Sequence, residues 1–493
     1  MSDQMPQSSL TSPPSNLDSS SSSSSGKLSP KDKISYGLGS ANDAWGNWFL
    51  VGAVWVVFNE YLGVAPALIS LALMCNRLFD AVSDPFFGWY SDNFRSKWGR
   101  RRPFILVGSI LSGISMILFF NLIQPGWSDN TYFWYMTIMS GILITCVSCF
   151  NMPYQSLGAE MTPDYEERTS VFAYRGGIQK ISEIANFGAA AFFTLAIFDN
   201  ILHGAKIGGW ILGGLMITIG IIVFRGTRER YYEKAVSNPK NKTKIVEAFL
   251  GALKCKPFRT QLAMAFSYGT CTSMVSVLGL YTTVFYVCGG DWAMWDAEKN
   301  VMGGGGWNLA MGASMVVCGF SGVPFFSKIA HSLSKRKAMI LVLLLSILSF
   351  GMTWFFYDPA HPYLQLIASG FNAFTMAGFW MLYGAIGADI IDYDELECGK
   401  RREGAFSACG SFFVKIGLAV GMGASGFLLE KIGFDQALGG DQPEGTFTYM
   451  RLLLVGIPIA GLLIALYFIL TFKLTKAKSA EIRAQLEARR GTV

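Results

Sequence analysis

Long apolar runs, separated by short polar stretches, follow one another along most of the chain. Phe104–Ile123 reads FILVGSILSGISMILFFNLI and Ala338–Tyr357 reads AMILVLLLSILSFGMTWFFY. About 20 apolar residues let an α-helix cross the hydrocarbon core of a bilayer. Twelve such spans can be placed, at 34–63, 66–91, 103–124, 131–160, 171–199, 207–225, 258–288, 306–330, 337–357, 362–392, 404–433 and 446–473. A membrane barrel would instead alternate over segments of about ten residues, and that pattern is missing. The chain is therefore expected to be an all-α integral membrane protein of twelve transmembrane helices.

The polar stretches give the organisation. The longest, Arg225–Arg259, divides the spans six and six. This predicts a six-helix bundle at 34–225, a linker at 226–257 and a second bundle at 258–473, with tails at 1–33 and 474–493. The first tail is rich in serine and proline and has no apolar core of a signal peptide, so it is expected to be disordered. The last can form a basic helix. GWYSDNFRSKWGRRRP after span 2 has a weak counterpart, GVPFFSKIAHSLSKRK, after span 8. Two halves with matching loops are a transporter signature.

Composition agrees: 51% of residues are hydrophobic and 15% charged, against about 25% charged in a typical soluble domain. The net charge of +6 is best read by position. The basic residues crowd into the tails and the loops after the even-numbered spans. Only Lys206, Lys299 and Lys431 fall in the opposite loops. This bias places both termini in the cytoplasm and leaves no reason to invoke nucleic acid. The sequon at Asn241 then lies on the wrong side for glycosylation. Cys146 and Cys149 form a CxxC inside span 4, without a second pair or a histidine to complete a zinc site. They read as small apolar helix residues. His203, His331 and His361 sit at loops or span ends, which argues against a buried histidine relay.

The exceptions to apolarity carry the chemistry. Span 2 contains Arg77, Asp80 and Asp84, span 5 contains Arg175, Lys180 and Glu183, and span 11 contains Lys415. A charge at mid-bilayer costs at least ~2.5–3.5 kcal/mol, so these side chains should face the protein interior and have partners. Asp80 and Asp84 are four apart and share a helix face. Lys415 has no acid within a turn on its own helix, which makes the two aspartates its natural partners. Two clustered carboxylates can hold a monovalent cation or take up a proton; a purely structural ion-pair network is the other reading. Asp92, at the end of span 2, lies close to Arg100 and Arg101 and can form a breakable cytoplasmic latch with them.

RLFDAVSDP, with Arg77, Asp80, Asp84 and Pro85, resembles the arginine–DAxxDP pattern of the glycoside–pentoside–hexuronide:cation symporters of the major facilitator superfamily. YGLGSANDAWG, NMPYQSLGAEMTPDYEERTSVFAYR and GADIIDYDELECGKRREGAFSACGSFFVKIG resemble three further segments of that family, in the same order. The resemblance covers most of residues 34–473. It implies the major facilitator fold and an alternating-access symporter with a sugar site beside a cation site. By position, Asp80 and Asp84 match the family's cation-binding carboxylates, which are metal ligands if the cation is Na+. Ser148 matches a hydroxyl near the cation, Lys415 a lysine close to both sites, Arg175 a sugar-binding arginine and Trp380 a cavity tryptophan. The family's Lys-Asp pair on the first helix reads Asp43-Ala44 here. A sugar-binding acid becomes Asn151, the tryptophan one turn on becomes Gln155, and an asparagine between the cation aspartates becomes Ser83. Asn151 and Gln155 share a helix face and can bond sugar hydroxyls, with Asn151 also near the cation. Asp43 can bind a hydroxyl pair if the helix register shifts by one. Arg175 suits vicinal hydroxyls or a carboxylate. If Arg175 and Lys415 are both available to cargo, a hexuronide becomes possible.

The function expected is Na+- or H+-coupled symport of a sugar or glycoside by a monomer in the cell membrane, the inner membrane in a bacterium. No cofactor is expected beyond the coupling cation. A same-fold carrier of another cargo such as a lysolipid, or a sugar sensor that does not transport, are the alternatives. No nucleophile–base pair or metal cluster at matched depth points to an enzyme.

Overall fold

The computed structural model describes residues 28–162, 165–227, 229, 245–296, 300–399, 402–472, 474 and 476–490. All twelve predicted spans are helical. Span 1 runs through α-helical Pro30–Ala44, π-helical Trp45–Phe49, α-helical Leu50–Val54 and π-helical Trp55–Tyr61. Spans 2, 3 and 4 are Pro66–Asn93, Arg102–Asn121 and Asp129–Glu160. Span 5 is Tyr165–Phe187 with a short continuation, Ala189–Phe193, and span 6 is Ile201–Gly226. Span 7 joins Lys256–Met274, Ser276–Tyr281 and the π-helical Thr282–Val287. Spans 8 to 12 are Gly304–Ser332, Lys335–Phe356, Leu364–Cys398, Glu403–Lys431 and Thr446–Thr471.

Among the described residues, ten helices are by themselves long and apolar enough to cross a membrane. Spans 1 and 5 are the two that are not. They carry Asp43 and Asn47, and Arg175, Lys180 and Glu183.

Several boundaries differ from the sequence reading. Residues 1–27 lie outside the described residues, but Ser29 already starts span 1. Its side chain accepts from the Asp32 N–H while Asp32 accepts from the Ser29 N–H, a capping box that fixes the helix start within the expected tail. Span 6 begins six residues early because the Asn200 side chain caps it through the His203 N–H. Span 5 ends early, at a break before Gly188. The expected linker and tail contain helices, Ile245–Lys254 and Lys476–Arg490. The latter buries Ile482 and Leu486 against the second half.

The core shows which end is closed. One apolar cluster draws on both halves, from Phe49, Val57 and Ile69 to Tyr281, Phe285, Leu429 and Phe434. It lies at the end away from the linker. At the linker end the halves keep separate cores, one around Tyr36, Phe150 and Tyr154 and one around Phe258, Phe379 and Phe406. There, Gly88, Gly176, Gly384 and Gly404 face open space.

The weak sequence repeat has a structural counterpart. Arg102, at the start of span 3, donates to the Phe224 carbonyl at the end of span 6. Arg336, at the start of span 9, donates to the Ile469 and Leu470 carbonyls at the end of span 12. The N-terminus of span 3 is also held by Glu229, whose carboxylate accepts the N–H groups of Arg100, Arg101 and Arg102 at 3.0, 2.8 and 3.1 Å. Unsatisfied N–H groups and the helix dipole both favour an anion there. Glu229→Gln is expected to cost about 1 kcal/mol, a fall of roughly 2–4 °C in apparent Tm by thermal unfolding in detergent. An unchanged Tm would show that the cap contributes nothing.

Candidate functional site

Span 2 has two faces. Leu78, Val82, Phe86 and Trp89 form an exposed apolar stripe, whereas Arg77, Asp80 and Asp84 are buried on the opposite side. The aspartates therefore point into the protein. There they meet Lys415, which comes from the other half. Its Nζ lies 2.8 Å from Asp80 Oδ1 and also bonds Asp84 Oδ2. Asp84 Oδ1 is buried without a hydrogen-bond partner. Ser83 Oγ and Ser148 Oγ stand 2.7 Å apart beside the pair, so hydroxyl and carboxylate oxygens share one small volume. Among the described residues no three His, Cys, Asp or Glu side chains are grouped to hold a metal ion. A cation here would rest on two carboxylates and neighbouring hydroxyls.

The second cluster is joined to the first. Asp43 Oδ1 accepts from Asn47 Nδ2 and from Asn151 Nδ2, each at 2.9 Å, and Arg175 Nη2 lies 3.4 Å from Asp43 Oδ2. Gln155 Nε2 donates to Asn151 Oδ1 at 3.0 Å. Arg77 links the two clusters. It donates to the Asn47 carbonyl, approaches Asp80 to 3.7 Å and lies over the Trp48 ring at 4.4 Å. The π-helical turn Trp45–Phe49 begins two residues after Asp43. One extra residue in a turn rotates the remainder of the helix by about 100°. The turn thus lets Asp43 face Arg175 and Asn151 while Asn47 and Trp48 face Arg77. Trp380 sits in the second half, edge-on to Tyr268 at 6.0 Å and to Tyr383 at 5.7 Å. The structure places it in the linker-end core of that half, half-buried.

The comparisons with known proteins fit this geometry. Residues 38–476 match the family described as MFS/sugar transport protein. The chain belongs to that family. The transporter is 25% identical to the "Uncharacterized symporter YjmB" of Bacillus subtilis (strain 168), covering 92% of this chain and 95% of that protein. It is 24% identical to the "Glucuronide carrier protein homolog" of Escherichia coli (strain K12), covering 94% and 97%. Among solved structures it resembles a bacterial homolog to the human lysosomal transporter Spinster, in an inward-facing and unoccupied conformation. There the TM-score is 0.63 at 13% identity, over 94% of this chain and 98% of that one.

The latch expected between Asp92 and the arginines after span 2 falls in part outside the described residues. The Asp92 side chain lies outside the described residues. Arg101 is buried, and the backbone of Arg100 and Arg101 is tied to Glu229 of the same half. Residues unremarked in the sequence also enter the site. Tyr36 and Tyr154 stack at 4.7 Å, and the Arg175 guanidinium lies 5.4 Å from the Tyr154 ring. Helical spacing was the available signal: Tyr36 is seven residues from Asp43 and Tyr154 three from Asn151. The closed end was less legible. There Tyr281 donates to Asn59, Gln436 donates to Glu60 at 2.7 Å, and Glu430 accepts from the Ala67 N–H at 3.1 Å. Each bond joins the two halves.

Proposed function

We propose that this transporter couples a monovalent cation to a sugar or glycoside, with Asp80 and Asp84 as the coupling carboxylates. The observation that carries the reading is Lys415, a cation from one half seated between two carboxylates of the other. An incoming Na+ or proton competes with its ammonium group. Displacing Lys415 loosens the contact between spans 2 and 11 and releases a positive group beside the cargo residues. Asp43, Asn151, Gln155 and Arg175 supply donors and acceptors for hydroxyls, and Trp380 a ring face for a pyranose. The reading is reciprocal, since cargo must raise cation affinity by the factor by which the cation raises cargo affinity. Relatives named as a symporter and as a glucuronide carrier homolog support it.

In this reading the protein acts as a monomer with both termini cytoplasmic and needs no cofactor other than the cation. The closed end then faces outward and the open end inward. The test is uptake of a panel of labelled sugars into proteoliposomes under imposed Na+, Li+ or proton gradients. At least one sugar is expected to accumulate with one of the gradients and to lose that accumulation when an ionophore collapses it. If every sugar merely equilibrates whatever the gradient, the coupling role is refuted.

A further inference from the structure

The two halves repeat one device at the linker end and complete it differently. Arg102 and Arg336 each place Nε and Nη2 on carbonyls at the end of the last span of their half, at 3.2 and 2.6 Å in both. Each stands at the start of a helix among further basic residues, Arg100 and Arg101 in one half, Lys335 and Lys337 in the other. Cations there oppose the helix dipole, and the first N–H groups of the helix lack intrahelical acceptors. In the first half the Glu229 carboxylate answers both, since it accepts the N–H groups of Arg100, Arg101 and Arg102.

The second half has no such acid. Glu229 stands five residues beyond Phe224, whereas five residues beyond Ile469 and Leu470 come Leu474 and Thr475. Ser334 Oγ takes the Lys337 N–H. Among the described residues nothing accepts from the N–H groups of Lys335 and Arg336.

The surface around this position is positive. Lys335 is paired with Asp389 at 2.7 Å and Lys478 with Glu481 at 3.0 Å. Arg336 rests on carbonyls, and Lys337 is exposed with no side-chain partner among the described residues. Lys476, from the C-terminal helix, brings a further ammonium group, which donates to the His331 carbonyl at 3.3 Å. Arg336, Lys337 and Lys476 thus have no carboxylate partner among the described residues. Beside them Leu333 and Leu470 are each 52% exposed, as apolar side chains are where a membrane helix meets lipid. The patch therefore lies where hydrocarbon gives way to headgroups, and basic clusters at that level attract anionic lipids.

We propose that this patch binds the phosphate of an anionic phospholipid, which does in the second half what the Glu229 carboxylate does in the first. The test titrates the purified full-length protein with dihexanoyl phosphatidylglycerol, dihexanoyl phosphatidylcholine and inorganic phosphate. In parallel, native mass spectrometry counts the phosphatidylglycerol retained after extraction from a membrane that contains it. The wild type is expected to retain one, and to bind phosphatidylglycerol at least about tenfold more tightly than either of the other probes. Lys337→Gln, at an exposed position that tolerates it, should weaken that binding about fivefold, and Lys337→Arg should preserve it. Lys31→Gln, which removes an exposed lysine from the first half, should change nothing. Glu229→Gln should vacate the equivalent position and raise the count from one to two.

A wild type that retains no lipid and binds both dihexanoyl lipids equally would overturn the proposal. Inorganic phosphate binding as tightly as phosphatidylglycerol would overturn the lipid as its source. Equal weakening by Lys31→Gln and Lys337→Gln would reduce the site to diffuse attraction. A count that stays at one in Glu229→Gln would break the equivalence of the two halves on which the proposal stands.

Discussion

Replacing Lys415 with alanine is expected to remove roughly 3–5 kcal/mol of stability, because breaking a buried ion pair on one side leaves uncompensated charge behind. Here the exposure is double. Asp80 and Asp84 share a helix face, both are less than a tenth exposed, and Lys415 bridges them. Arg77 stays 3.7 Å from Asp80, whereas the ion pair of Asp84 is the one with Lys415. With the ammonium gone, two like charges face each other across a small buried volume. Apparent Tm in detergent should fall by roughly 10 °C, taking about 2–4 °C for each kcal/mol. Adding Asp84→Asn should recover most of the loss, since it removes one of the repelling charges. Sodium or lithium should also restore part of the Tm in the single variant if a cation can occupy the vacated position. A Lys415→Ala protein with wild-type Tm and no response to salt would show that the triad contributes nothing to stability.

What was legible in the sequence was whatever the bilayer enforces. Twelve spans could be placed because hydrocarbon demands about twenty apolar residues at a time. Buried charges stood out because each violates that demand. The companionship of Lys415 with Asp80 and Asp84 followed from the same cost, since a lone ammonium on span 11 needs an acid from another helix. Helix ends were less visible. The capping side chains of Ser29 and Asn200 lie just outside the apolar runs, in stretches that look like loop. The π-turns were invisible, because an inserted residue in span 1 changes which side chains share a face without changing composition. Asp43 therefore carried two possible orientations in the sequence, and only the turn at Trp45–Phe49 chooses between them. The closed end was hidden for a related reason. Asn59, Glu60, Gln436 and Glu430 lie at span ends, where polar residues are ordinary, and their pairing across the halves depends on the conformation adopted.

Gly426→Val is expected to slow transport by up to about two orders of magnitude while leaving the protein folded, because it disfavours one conformation only. A Cβ on Gly426 would stand 2.1 Å from the Pro66 carbonyl oxygen and 2.4 Å from Ser70 Oγ. The first of these is backbone at the start of span 2 and cannot rotate away. Small residues let membrane helices approach this closely, and here the approach is made at the closed end, where Ser70 and Ser425 bond at 3.1 Å and Glu430 caps the Ala67 N–H. Opening that end separates span 2 from span 11 and removes the clash. Overpacking of about 1–3 kcal/mol would then shift the balance between states by roughly 5- to 150-fold toward the one open at this end. Val64 is fully buried in the cluster that seals this end, so Val64→Cys reports on it. Its maleimide labelling should be slow in the parent and should rise in company with Gly426→Val. Gly404→Val serves as the control for the labelling, since nothing lies within 4 Å of its Cβ position and it should preserve protection at Val64→Cys. If Gly426→Val transports normally with Val64→Cys still protected, the closed end is not a gate, and the apolar cluster shared by the halves is simply a permanent core.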